Sequence, residues 1–439
     1  MKAQLSKSWR TPLALAAVGL SLVLGTAAAD PDFGNIDDLL AGQRHLLRTD
    51  DLIVTAPGQS GVPLQNVILD SSDSQISAEK TLAFQGTTAN GFTSGLGRVF
   101  DLPNDVIVTV SPNANAAGQQ LVTLTDVLGN QSHAQAITAG TAGAVAIGDL
   151  NQDGFAELVV GFESGLQIAT ATAVTDLSQG LSFGGAASGC DTGGSQPGFL
   201  DIAITDLNGD GQNEIAALCL ASGSGEFKLL IVTVDPSTLA VTGTATSWIG
   251  GGFFFSGAMA AGNFAEETGA PGAFPTMELV IAAVFLTGDL QPGAGVLSLS
   301  LNDAFQATVA NSLDLNYPGS TSIYAASGQI DWFGATEQVA VGINNFNDYT
   351  SYAYILTLDS NLNITEESRT QITSCIEGIA LGNFDRTNAQ GKRVPDLQLA
   401  TIASPTCLNP TQAPVAFIYN LFLDRFVKTV SVTDLLIGI

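Results

Sequence analysis

From about Leu39 to the C-terminus the chain is a succession of short apolar runs of about four to eight residues. Glycine-, serine- and proline-containing turns separate them, and 3.6-residue periodicity is almost absent. The pattern predicts strands. Seven times an acidic residue stands directly before such a run, at Asp51, Asp105, Glu157, Glu214, Glu278, Glu337 and Asp396, at intervals of 52 to 64 residues. Several of these acids follow a preceding apolar stretch that closes on a glycine step: Gly148-Asp149, Gly262-Asn263 and Gly382-Asn383. One or two further apolar stretches come after, as at 229–234, 295–301, 352–358 and 415–422. Each unit therefore holds about four antiparallel strands.

A unit of four short strands repeated at this period is the content of one propeller blade. Runs such as Leu279 to Val284 are apolar on both faces, as expected where each sheet is covered by a neighbour on either side. Such a sheet cannot bury both faces alone, so the array is stable only as a ring. The expected fold is all-β, a seven-bladed β-propeller of four-stranded antiparallel blades occupying residues 30–439. Six or eight blades are also compatible with the pattern, because the first unit, with its first strand near 39–47, lacks the turn acids. An array of immunoglobulin-like sandwiches would use longer strands and domains near 100 residues.

The first 29 residues read as a signal peptide. Lys2, Lys7 and Arg10 precede an apolar stretch at 13–24, too short to span a bilayer, and Ala27 to Ala29 offer a cleavage site before Asp30. No later stretch has the length of a membrane span. Removing the segment takes away three positive charges and no acid, so the net charge goes from −27 to −30. That sign disfavours nucleic acid as a partner and suits divalent cations. Four cysteines in an exported chain imply two disulfides, with three possible connectivities, of which the repeat register favours Cys190 with Cys219 and Cys375 with Cys407.

The chemistry-bearing motif lies between the first two strands of the third and fourth units. Residues 149–157 carry Asp149, Asn151, Asp153, Gly154, Phe155 and Glu157. Residues 206–214 carry Asp206, Asn208, Asp210, Gly211, Gln212 and Glu214 at the same positions. Side-chain oxygens at positions 1, 3, 5 and 9, with the carbonyl of Phe155 or Gln212 at position 7, form a hard-oxygen donor set of the kind Ca2+ prefers. Glycine at position 6 allows the positive φ that turns the loop back. The motif is not an EF-hand: no helices flank it and no glutamate stands at position 12. It resembles the DxDxDGxxD loop of FG-GAP/VCBS propellers, the repeat of the integrin α-subunit head, with Asn in place of Asp at position 3 and Glu at position 9. Elsewhere the acids thin out. Asp101 with Asp105, Glu266 and Glu267 with Glu278, Asp331 with Glu337, and Asp385 with Asp396 are expected to be metal-free turns.

Candidate catalysis is sparse. His45 and His133 stand apart from any nucleophile motif, no G-x-S-x-G, H-E-x-x-H or phosphate loop occurs, and acid pairs are the background of a chain with 41 Asp and Glu. The glycines and phenylalanines at 250–255 read as a turn into a buried first strand. Trp248, Trp332 and Tyr349 are candidates for a ligand-facing rim. The resemblance implies an extracellular recognition or adhesion module for a protein or a glycan. The alternatives are a calcium-dependent carbohydrate-active enzyme, since some propellers of this type belong to polysaccharide lyases, or a structural unit of a larger secreted assembly.

Overall fold

The computed structural model describes strands from Leu52 to Ser431 together with most of the connections between Ala142 and Gly382. The putting-together of the strands follows chain order. The first sheet holds β1 (Leu52–Ala56), β2 (Leu64–Asp70) and β3 (Ser77–Phe84); the second holds β4 (Thr93–Gly97), β5 (Val106–Val110), β6 (Gln120–Asp126) and β7 (Ser132–Ile137). The third comprises β8 (Ala142–Gly148), β9 (Glu157–Phe162), β10 (Gly165–Ala171) and β11 (Leu181–Ala187), and the fourth β12 (Phe199–Thr205), β13 (Glu214–Leu220), β14 (Phe227–Val234) and β15 (Val241–Ile249). The fifth contains β16 (Phe254–Gly262), β17 (Glu278–Leu286), β18 (Pro292–Leu301) and β19 (Ala307–Asp314), and the sixth β20 (Ser320–Gly328), β21 (Gln338–Asn345), β22 (Thr350–Leu358) and β23 (Ile364–Ile372). The seventh is β24 (Cys375–Gly382), β25 (Gln398–Ser404), β26 (Val415–Asn420) and β27 (Arg425–Ser431).

Every neighbouring pair is antiparallel. The first strands of consecutive sheets lie side by side, from β4 through β8, β12, β16 and β20 to β24. This is a β-propeller of four-stranded antiparallel blades. The acids that lead the repeats fall where expected, opening β9, β13 and β17 at Glu157, Glu214 and Glu278. The signal-peptide segment, the first strand expected at 39–47 and both histidine side chains lie outside the described residues.

Burial follows position within a blade. The second strands β5, β9 and β21 are buried along their whole length, because both faces meet neighbouring sheets. The outermost strands β19 and β23 are largely exposed. The apolar cores accordingly lie between sheets. Val106, Val108 and Leu124 of the second sheet pack with Leu158, Val160 and Phe162 of the third; Val159 and Ile168 of the third pack with Phe199 and Leu230 of the fourth. Leu218 and Phe227 of the fourth meet Met259 and Ile281 of the fifth. The approach is close enough to demand glycine: a Cβ on Gly257 would lie 2.5 Å from Phe227 Cζ, and one on Gly161 would lie 2.5 Å from Phe199 Cγ.

The hairpin between third and fourth strands repeats a device whose first residue is Asp or Asn. Asp235, Asn302 and Asp359 each accept, through a side-chain oxygen, the amide two residues on, at Ser237, Ala304 and Asn361. Three or four residues after each of these comes a bulky apolar residue at positive φ: Leu239 (56°), Phe305 (55°) and Leu362 (61°). Leu and Phe seldom adopt this region. Here each side chain packs against an inter-sheet core, which compensates for the backbone cost.

Candidate metal centre

Both acid loops fold alike. Asp149 accepts from Asn151 N (3.2 Å), Gln152 N (2.6 Å) and Gly154 N (3.0 Å). Asp206 accepts in the same manner from Gly209 N (2.7 Å), Asp210 N (3.2 Å) and Gly211 N (2.8 Å). Asp153 and Asp210 each receive the amide two residues on, from Phe155 at 2.8 Å and Gln212 at 2.7 Å. Asn151 and Asn208 donate their side-chain amides to those same aspartates, at 2.9 and 3.0 Å. The position-6 glycines have φ of 86° and 88°, as the turn requires.

The acid at position 9 turns inward in both loops. Glu157 accepts Leu150 N at 2.8 Å and Glu214 accepts Leu207 N at 2.9 Å, and the two glutamates are only 5% and 4% exposed. Burial first, and then repulsion from Asp153 and Asp149, pushes Glu157 up to about 7. Burial, followed by Asp210 and Asp206, does the same to Glu214. The chain supplies no counter-charge of its own nearby in sequence: no lysine or arginine occurs between Arg98 and Lys228.

The donor set is therefore all oxygen and negatively charged, which fits a hard divalent cation. Among the described residues no three His, Cys, Asp or Glu side chains are gathered as a metal-holding group. The aspartate oxygens are instead turned onto the loop's own amides. The Asn151 and Asn208 side-chain oxygens likewise accept loop amides, from Asp153 N at 2.9 Å and Asp210 N at 2.8 Å.

The two loops touch. Asn213 donates to the Asp149 carbonyl at 2.7 Å, and the Gln152 side-chain amide donates to the Gly211 carbonyl. The first hook recurs around the propeller: Met277 N reaches the Asp206 carbonyl (3.0 Å) and Glu337 N reaches the Asn263 carbonyl (2.7 Å). The hooks place the loops of the third to sixth sheets at one end of the blades. Of the acids expected to be metal-free, Glu278 accepts Phe264 N (2.7 Å) and Ala265 N (3.2 Å), as its counterparts do. Asp101, Asp105, Glu266, Glu267, Asp331, Asp385 and Asp396 lie outside the described residues.

The opposite blade end carries the exposed aromatics. Phe254 is buried and stacks on Phe227 with ring centroids 4.1 Å apart, whereas Phe253 and Phe255 on either side are 46% and 44% exposed and meet edge to face. The stretch at 250–255 is thus only in part the buried entry expected of it. Alternation along the strand, interrupted by a bulge between Phe254 and Ser256, turns its flanks outward. Trp248 is exposed on the outer strand β15 beneath Lys228, whose Nζ lies 5.5 Å from the ring centroid. Trp332 and Tyr349 lie outside the described residues. At this same end Cys190 and Cys219 are joined, tying the connection before β12 to β13. Cys375 is also disulfide-bonded, and its expected partner Cys407 lies outside the described residues.

No protein-family model matches the sequence, and no curated protein matches it. Solved structures with a similar fold include the Dos1 propeller, at 10% identity and TM-score 0.41, covering 78% of this chain and 74% of that one. A second is an Agrocybe aegerita lectin that recognises non-reducing terminal N-acetylglucosamine, at 10% identity and TM-score 0.45, covering 88% and 90%. A third is an arginine-to-alanine triple mutant of AofleA from Arthrobotrys oligospora, at 12% identity and TM-score 0.39, covering 74% and 89%. At these identities the likeness concerns the fold alone.

Proposed function

We propose that the chain is an exported, calcium-binding propeller of the FG-GAP/VCBS type, closed as a ring of seven blades, that recognises an extracellular glycan or protein. The observation that carries the calcium reading is the duplication of one loop on adjacent sheets, with a buried glutamate in each that accepts the amide of the loop's second residue. Asp149, Asn151, Asp153, Glu157 and the Phe155 carbonyl would hold one ion. Asp206, Asn208, Asp210, Glu214 and the Gln212 carbonyl would hold the other. Bound calcium neutralises carboxylates that otherwise repel one another, and it stabilises the folded state by mass action. The ions would be structural, holding the loop end of the blades. Trp248, Phe253 and Phe255 at the opposite end give the recognition surface its exposed aromatic area.

Calorimetric titration of the metal-free chain with calcium is expected to show two ions bound. Asp153→Ala and Asp210→Ala should each remove one. A chain that takes up no calcium, and melts at the same temperature with and without EGTA, overturns the metal reading. Glycan-array binding tests recognition separately, and release of a cleaved product there would favour the enzyme alternative.

A further inference from the structure

Asp201 is a carboxylate that none of the foregoing uses. It stands on β12, directly after the bulge that displaces Leu200 from the β12–β13 ladder, and is paired with Leu218. Its Oδ1 accepts Ile202 N at 2.9 Å, and its Oδ2 crosses to the next sheet to accept Met259 N on β16 at 2.8 Å. Ile202 and Met259 are each 6% exposed. The carboxylate thus bridges the fourth and fifth sheets at a seam where Gly257 already lies against Phe227 and Leu218.

The sixth and seventh sheets are joined by the same kind of bridge built from a neutral residue. Asn344 on β21 accepts Ile376 N (2.7 Å) and donates to Ile376 O (2.7 Å), with Ser351 and Ser322 completing its hydrogen bonds. An amide side chain holds such a joint at any pH. A carboxylate gives each of two amides its own acceptor oxygen only while ionised.

We propose that Asp201 is a proton-operated clasp between the fourth and fifth sheets, closed when its carboxylate accepts the Met259 amide and released when that carboxylate takes up a proton. Protonation turns one acceptor oxygen into a hydroxyl, so the Ile202 and Met259 amides compete for the single carbonyl oxygen that remains. The strand it frees is β16, which opens with Phe254, the buried ring between the exposed Phe253 and Phe255.

The position suits titration in mild acid. Burial lifts Asp201 to about 6, against the lowering effect of its two amide partners. The charged groups on the elements packed around it are remote. β8 and β16 carry none, while Glu157, Glu214 and Glu278 open β9, β13 and β17 at the opposite blade end; along β13, Glu214 is four residues from Leu218, about 13 Å at strand rise. Lys228, on the next strand, is taken up by Trp248. The sign follows from the raised value: the folded chain binds this proton more tightly than the unfolded chain. Global stability from this group therefore increases as pH falls through 6 toward 3.8, and the loosening is local to the clasp.

The test is amide hydrogen exchange at Met259, corrected for intrinsic rates, between pH 7.5 and 5, together with carbon-13 titration of the Asp201 carboxyl. Its protection factor is expected to fall about thirtyfold in the wild type, since the protonated share of a carboxyl with a midpoint near 6 rises from about 3% at pH 7.5 to about 90% at pH 5. In Asp201→Asn the protection should be flat across this range. The carboxyl should titrate with a midpoint near 6. Constant wild-type protection, an unchanged pH response in Asp201→Asn, or a carboxyl midpoint below about 4.5 each overturns the clasp. If Asp201→Asn does not fold, the two wild-type measurements decide.

Discussion

The connection between first and second strands runs over nine residues in the third and fourth sheets (149–157 and 206–214) and over sixteen in the fifth (263–278). Their glutamates nevertheless do one thing in common. Glu157, Glu214 and Glu278 each bond the backbone amide of the second residue, at Leu150, Leu207 and Phe264. In these three sheets the acid that marks the repeat is therefore a backbone anchor, with or without a metal-type loop around it. What separates the loops is position 1. Asp149 and Asp206 gather three amides apiece, whereas Asn263 in the fifth sheet leaves a buried Oδ1 without a hydrogen-bond partner. Repetition of the acid reports the scaffold, and Asp at positions 1 and 5 reports the candidate ion.

Three substitutions test that separation. The largest effect is expected from Asp149→Ala in calcium-loaded protein, which removes three amide acceptors together with the proposed ion. A loss of about 3–4 kcal/mol is expected with calcium a hundredfold above its Kd, most of it absent in EGTA. Chemical denaturation with and without calcium measures both parts, and an equal loss in the two conditions would reduce Asp149 to a turn cap. Glu278→Ala should cost about 1–3 kcal/mol by stranding the Phe264 and Ala265 amides, and that cost should not respond to calcium. A calcium-sensitive loss would instead place an ion in the fifth sheet. The smallest change is expected for Glu214→Gln, which keeps an oxygen for Leu207 N but loses the charge. Metal-free stability should not fall, because the neutral amide relieves a buried charge, while calcium affinity at the fourth-sheet loop falls at least tenfold. Unchanged affinity would assign Glu214 to the scaffold alone.

The repeat was legible because the leading acid, the apolar second strand and the turn glycine are local: each restricts the backbone within about ten residues. The blade strands follow from it, as do the positive φ of Gly154 and Gly211. The hairpins at Asp235, Asn302 and Asp359 escaped notice because their marker is a leucine or phenylalanine at positive φ. In sequence that residue looks like any other apolar strand position. Phe253 and Phe255 were hidden for a related reason. Three consecutive phenylalanines carry no alternation, and the bulge that turns Phe255 outward arises in the pairing with β17.

The sequence by itself determined that the chain alternates short strands and turns in a repeat, that its second strands are covered on both faces, and that two adjacent loops concentrate oxygen ligands. These are properties of pattern and composition over one unit. The tertiary structure decided what passes between units: the carbonyl hooks from loop to loop, the glycine contacts at Phe199 and Phe227, and the choice of Asp201 at one seam and Asn344 at another. Residues such as Asp201 and Met259 are 58 positions apart, and strand spacing along the chain carries no information about which amide a carboxylate meets across a sheet interface. Packing against the neighbouring blade supplies it.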